Sequence, residues 1–179
     1  MTLQPSVQRS LHRKFATCIS FILLSSLTSI NVADTVKNQT TKNQFVGTWE
    51  LLSVERKDAQ GIWSPSVGQL TNSVGVLMYD EFGRMSVHIM NLDRNVSANR
   101  ALQLTEDELR ELLRGYVAYF GDYEINASEG YVIHRRRGHL YPSQVGVDAK
   151  RFFEFSDGLL TLTVAPSRNF RLTWQRVSR

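Results

Sequence analysis

The sequence has one cysteine, Cys18, and no uninterrupted apolar stretch of the roughly 20 residues that cross a bilayer. A single thiol cannot make an intrachain disulfide, so any fold must rest on its core alone. Also absent are an H-E-x-x-H helix, paired cysteines, a G-x-S-x-G elbow and a phosphate-cradling glycine loop. Zinc-protease, serine-hydrolase and nucleotide-binding chemistry therefore have no motif to stand on. Excess charge is scarce as well. The net charge of +4 owes three cations to Arg9, Arg13 and Lys14, which precede Ala33 with no Asp or Glu among them, and setting these aside leaves +1. A near-neutral remainder, without a basic stripe interleaved with aromatics, offers no footprint for a phosphate backbone, so nucleic acid is not an expected partner.

What is present begins with a secretory signature. Arg9, His12, Arg13 and Lys14 form a basic n-region ahead of an apolar run from Phe15 to about Ile30 that Ser and Thr dilute. Residues 1–33 read as a signal peptide with cleavage after Ala33 or nearer Ser29, an uncleaved N-terminal helix being the alternative. The expected location is thus secreted or periplasmic, with no stable membrane span. Cys18 lies inside the run and would leave with it. It is not placed as a lipid-attachment site, because the apolar run follows it. Residues 34–44 are polar and aperiodic and read as a flexible leader, so the domain is expected to span 45–179.

From Phe45 onward, short runs rich in Val, Ile, Phe, Tyr, Trp and Thr alternate with Gly, Asp and Asn, the pattern of an all-β sandwich or barrel. Strands are expected near Gly47–Lys57, Gly75–Tyr79, Arg84–Met90, Tyr116–Ile125, Tyr131–Arg137, Arg151–Phe155, Leu159–Val164 and Phe170–Val177. Hairpin-like links at Asp80–Gly83, Asn126–Gly130 and Ser156–Gly158 force antiparallel neighbours. The expected fold is mainly β: an antiparallel up-and-down barrel of about eight strands, closed to remove its edges, with one short α-helix. The helix is marked by Thr105 and Glu108, spaced as a capping box, with Leu104 placed to staple on Leu109 and Gly115 past its end. Leu109, Leu112 and Leu113 share one face, which predicts that the helix packs over an end or flank of the sheet, as a structural plug or a mobile lid.

Read in order, Gly47-Thr48-Trp49-Glu50-Leu51, Val74-Gly75-Val76-Leu77-Met78-Tyr79, Gly83-Arg84-Met85-Ser86, Gly115 to Glu124, Val132-Ile133-His134, Pro142 to Gly146, Arg151 to Phe155 and Leu172-Thr173-Trp174-Gln175-Arg176 carry a resemblance. Together they resemble the lipocalin-like domain family of bacterial and fungal proteins, over essentially the whole chain from Phe45. The resemblance implies a calycin-type barrel with an internal pocket for a small, largely apolar molecule.

Strand alternation suggests the lining of such a pocket. Trp49, Leu51 and Ser53 share a face, as do Val117, Tyr119, Gly121 and Tyr123, and Leu172, Trp174 and Arg176. His134 and Arg136 share another, and a fixed guanidinium beside a buried His suits a carboxylate or enolate. His88 lies with Ser86 and Met90. The candidate ligand-binding residues are Trp49, Tyr79, His88, Tyr119, Tyr123, His134, Arg136 and Trp174. Core packing competes for Trp49 and Trp174, and solvent for Tyr119, Tyr123, Arg135, Arg136 and Arg137. His134 and His139 differ in strand parity unless a bulge at Gly138 realigns them, so no metal or other cofactor is expected. N-x-S/T sequons at Asn38, Asn95 and Asn126 would matter only in a eukaryotic source.

Three functions fit these residues. The first is an exported carrier of a small hydrophobic molecule, with or without a carboxylate or hydroxyl. The second is a cofactor-free isomerase, dehydratase or cyclase using His134 or His88 as acid or base, with a Tyr or Arg steadying an oxyanion. The third is a solidly packed barrel that acts through its surface.

Overall fold

A computed structural model describes residues 32–95 and 103–177. The signal-peptide reading therefore falls, but for Val32 and Ala33, outside the described residues, as do Cys18 and part of the Asn95 sequon. The element order is α1 (Val32–Phe45), β1 (Gly47–Lys57), β2 (Trp63–Pro65), β3 (Ser73–Tyr79), β4 (Arg84–Asn91), α2 (Glu106–Arg114), β5 (Tyr116–Asn126), β6 (Tyr131–His139), β7 (Asp148–Ser156), β8 (Leu159–Val164) and β9 (Phe170–Arg176).

The strands pair antiparallel in the order β2-β1-β3-β4-β5-β6-β7-β8-β9, and β1 also pairs with β9. That second pairing closes an eight-stranded up-and-down barrel, with β2 as a short flap on the end of β1. Tight turns dictate the neighbour order. At the β7–β8 link Asp157 and Gly158 both take positive φ (51° and 78°), the type I′ geometry whose twist suits a two-residue hairpin. At the β3–β4 link the Asp80 carboxylate accepts from the amides of Phe82 and Arg84 at 2.9 and 2.8 Å, holding the turn from within.

Two bulges adjust the faces. In β1 the register against β9 slips between Leu51 and Ser53. Leu51 pairs with inward Trp174 and Val54 with inward Leu172, while Ser53 pairs with outward Thr173, so Ser53 leaves the face it was expected to share with Trp49. The slip between β5 and β6 sits at Phe120 and Gly121, which pair with Gly138 and Arg136 and leave Arg137 as the extra residue. Here the strands touch closely: a Cβ on Gly121 would collide with the Arg135 carbonyl oxygen, which explains a glycine between two inward tyrosines.

Residues 34–44, expected as an irregular leader, are helical within α1. The pattern hides this helix because only Thr41 and Phe45 are buried, at its C-terminal end, and the rest is polar surface. Phe45 is fully buried and closes one end of the barrel, meeting the rings of Tyr79, Phe153 and Phe155 edge-on at 5.0 to 5.1 Å. Its carbonyl accepts from Trp49 Nε1 at 2.9 Å, Arg176 donates to the carbonyls of Gln44 and Val46, and the Asn38 side chain accepts from the Ala127 amide. Thus Trp49 and Arg176 serve the closed end, with the Arg176 guanidinium 4.2 Å from the Trp49 ring centre.

α2 has the expected capping box, the Glu108 amide donating to Thr105 Oγ1 and the Thr105 amide to Glu108 Oε2. Its apolar stripe is not buried as expected: Leu109, Leu112 and Leu113 are 38%, 37% and 41% exposed. The helix is held instead by its last carbonyls, which accept from Arg94 at Leu112 and from the Tyr141 hydroxyl at Leu113. Among the described residues no helix is long and apolar enough to cross a membrane.

The burial of Phe45 generates a stability test. Phe45→Ala is expected to cost about 3–5 kcal/mol of unfolding free energy in urea denaturation. Val36→Ala, on the exposed side of the same helix, is expected to change it by no more than about 0.5 kcal/mol. Equal effects would mean that α1 does not close the barrel.

Candidate functional site

Inward positions of the barrel strands converge on a cavity of about 260 Å³. Its walls are Leu77, Val87, Ile89 and Val117 from β3 to β5, with Leu162, Val164, Phe170, Leu172 and Trp174 from β8 and β9, and Leu70 from the loop before β3. Tyr119, His134 and Arg151 add polar groups. A mostly apolar enclosure with a few placed polar side chains is the usual composition of a small-molecule site. A larger groove of about 720 Å³ runs beside the β3–β4 turn past Met78 and Phe82. It lies on the outer surface, where Phe82 is 73% exposed.

The polar centre is His134. Alternation along β6 turns it inward with Val132, and it is 1% exposed. Its Nε2 meets the Tyr79 hydroxyl at 2.7 Å and its Nδ1 the Tyr119 hydroxyl at 3.0 Å. Burial, reinforced by the positive charges of Arg151 and Arg136, pushes its pKa from 6.5 down to about 3, so the ring is neutral. A neutral imidazole has one N–H and one bare nitrogen, so one tyrosine donates to it and the other accepts from it. Tyr79 is 2% exposed with no other acceptor among the described residues, so its hydroxyl donates to Nε2. The Nδ1–H then donates to Tyr119, whose own proton is left for the cavity. Burial, with Tyr119 nearby, raises the Tyr79 pKa well above the ordinary value, so its phenol stays protonated.

The eight sequence-selected residues separate by place. Tyr119, His134 and Trp174 line the cavity, and Tyr79 supports it through His134. Arg136 faces inward opposite Gly121, its guanidinium 5.9 Å from the Tyr119 ring centre and its Nε donating to the Val147 carbonyl. Trp49 and Tyr123 are also inward but belong to the closed end beside Phe45. The Tyr123 hydroxyl donates to the Asp80 carbonyl at 2.8 Å, and burial, then the Asp80 charge, pushes its pKa up to about 12. His88 stands apart: its neighbours Val87 and Ile89 fill the inward positions, and it faces outward against the Tyr116 hydroxyl at 3.0 Å.

The bulge at Arg137 overturns the expected parity of the histidines. Tyr123, Gly121 and Tyr119 pair with His134, Arg136 and His139, so both histidines are on the inner side, and the His139 ring stacks on Tyr119 with centres 5.6 Å apart. Partial burial, then Arg136, lowers the His139 pKa. Among the described residues no three His, Cys, Asp or Glu side chains are grouped to hold a metal ion. The polar residue missed at the cavity is Arg151. Its signal was alternation in phase with Phe153 and Phe155 on a strand otherwise read as core.

A family model described as a lipocalin-like domain matches residues 46–177, the whole barrel. No curated protein matches the chain.

Neutral His134 makes acid sensitivity a test of the site. Its folded pKa lies below that of the unfolded chain, so between about pH 6.5 and pH 3 the unfolded state binds a proton that the folded state refuses. The stability this contributes is complete above pH 6.5 and falls as the pH drops through that window. Urea denaturation across this range is expected to show a shallower acid loss for His134→Gln than for wild type. An identical slope would mean that His134 is not held neutral.

Proposed function

The chain belongs to the lipocalin-like domain family, and from that premise we propose that it binds a small, largely apolar molecule inside the barrel. The observation that carries this reading is the cavity of about 260 Å³. A barrel filled by its own side chains would have no such space. A dry cavity of about 150 Å³ holds a benzene ring, so this one suits a molecule of one or two rings or a short chain. Tyr119, His134 and Trp174 are the proposed ligand contacts, Tyr79 and Arg136 hold Tyr119 and His134 in place, and Trp49 and Tyr123 secure the closed end. A proton-transfer role for His134 is less well supported, because both ring nitrogens are already engaged by tyrosine hydroxyls. Export through the basic n-region and apolar run before Ala33 completes the proposal: a carrier or sequestering protein of a secreted or periplasmic compartment.

Isothermal titration with butylbenzene and with indole tests this. The wild-type domain is expected to bind at least one of them one-to-one, with a negative heat-capacity change. Val117→Trp, which fills the cavity from its wall, is expected to abolish the binding while unfolding cooperatively. Absence of binding by both probes, or binding that Val117→Trp leaves intact, would contradict the proposal.

A further inference from the structure

Two of the polar groups at the cavity, Tyr119 and Arg151, have donors to offer it. Tyr119 keeps its hydroxyl proton for the cavity because its oxygen accepts from His134, as the enclosed Tyr79 requires. The Trp174 ring lines the cavity, while its Nε1–H is enclosed by protein, with no partner among the described residues. Arg151 donates from Nη1 to the Lys150 carbonyl at 2.9 Å, and among the described residues no carboxylate pairs with it. His134, with both nitrogens engaged, offers no free acceptor.

The charge pattern of the whole inner face agrees. Glu50, Glu55, Asp122, Glu124, Asp148 and Glu154, the carboxylates of the barrel strands, all occupy outward positions. The outward arginines use them: Arg171 pairs with Glu55, Arg137 with Asp122, and Arg135 with Glu124 and Asp148. Among the described residues, the hydrogen bonds of the inward arginines Arg136 and Arg151 go to carbonyls, at Val147 and Lys150. A guanidinium half-buried in an apolar chamber without a counter-charge is costly, and a bound anion would offset that cost.

We propose that the ligand ends in a carboxylate, held by the Arg151 guanidinium and the Tyr119 hydroxyl, with its apolar body against Val117, Leu162 and Leu172. This rests on the reading of the barrel as a small-molecule binder and assigns the class of molecule: an apolar monocarboxylic acid. One negative charge matches the single guanidinium in the cavity wall. His134 is a positioning residue, turning the Tyr119 proton toward the ligand without adding charge. A planar carboxylate also fits the guanidinium fork.

Matched acids and alcohols test the assignment by isothermal titration: octanoate against octan-1-ol, and 4-phenylbutanoate against 4-phenylbutan-1-ol, on wild type and on Arg151→Gln. Wild type is expected to bind at least one acid roughly 10- to 100-fold more tightly than its alcohol, as loss of a charge-assisted bond implies. In Arg151→Gln the acid-over-alcohol ratio is expected to fall to within about twofold, through weakened acid binding. Acids and alcohols binding wild type alike, or a preference that survives in Arg151→Gln, would overturn the carboxylate assignment and leave the binding role standing. If neither acids nor alcohols bind wild type, the carboxylate assignment falls, and the butylbenzene and indole titrations decide the binding role. The wild-type comparison decides the matter even if the variant does not fold.

Discussion

β1 closes the sheet. One edge of it pairs with β3 and the other with β9, so the barrel has an inside only because one eleven-residue strand satisfies both neighbours. Closure saturates the backbone edges that an open sheet of this length would leave exposed. It also requires curvature, which the bulge at Leu51 to Ser53 supplies while setting Val54 in and Ser53 out. Phe45 and Trp49 then shut one end, and the space between β3 and β9 remains as the cavity.

Within that space the interior divides by polarity. Aromatic and aliphatic side chains pack the closed end around Phe45, whereas the cavity borders a short polar line of Tyr79, His134 and Tyr119. The line is self-satisfying where it is buried and has an unused donor where it reaches empty space. Arg151 adds a donor from β7. A guanidinium and a hydroxyl donor in apolar walls select ligands by the acceptor they bring, and an ionised acceptor gains most in such low-dielectric surroundings.

Much of the fold was legible because its signals are local. The hairpin turns and the Thr105–Glu108 capping box each depend on residues within five positions of one another, and the eight barrel strands appear with bounds close to those expected. β2 was not legible because three residues carry no alternation, and Trp63 earns its place by stacking under Lys57 and Arg171 from elsewhere in the chain. α1 was hidden because only Thr41 and Phe45 bury, so its periodicity is that of a polar helix. Alternation grouped Tyr119 with Tyr123 and His134 with Arg136 without saying which face points inward, and parity stops holding at a bulge, both bulges arising from pairing with a partner strand. That is why Ser53 and His139 changed sides.

The central claim is that the barrel interior is occupied in use. Native mass spectrometry of the protein purified gently from its own source, followed by denaturation and identification of what is released, addresses it most directly. One small molecule per chain is expected, an apolar acid of the size the cavity admits, retained natively and lost on unfolding. The bare chain mass, both as purified and after exposure to a mixture of medium-chain and aryl-alkyl acids, would contradict it.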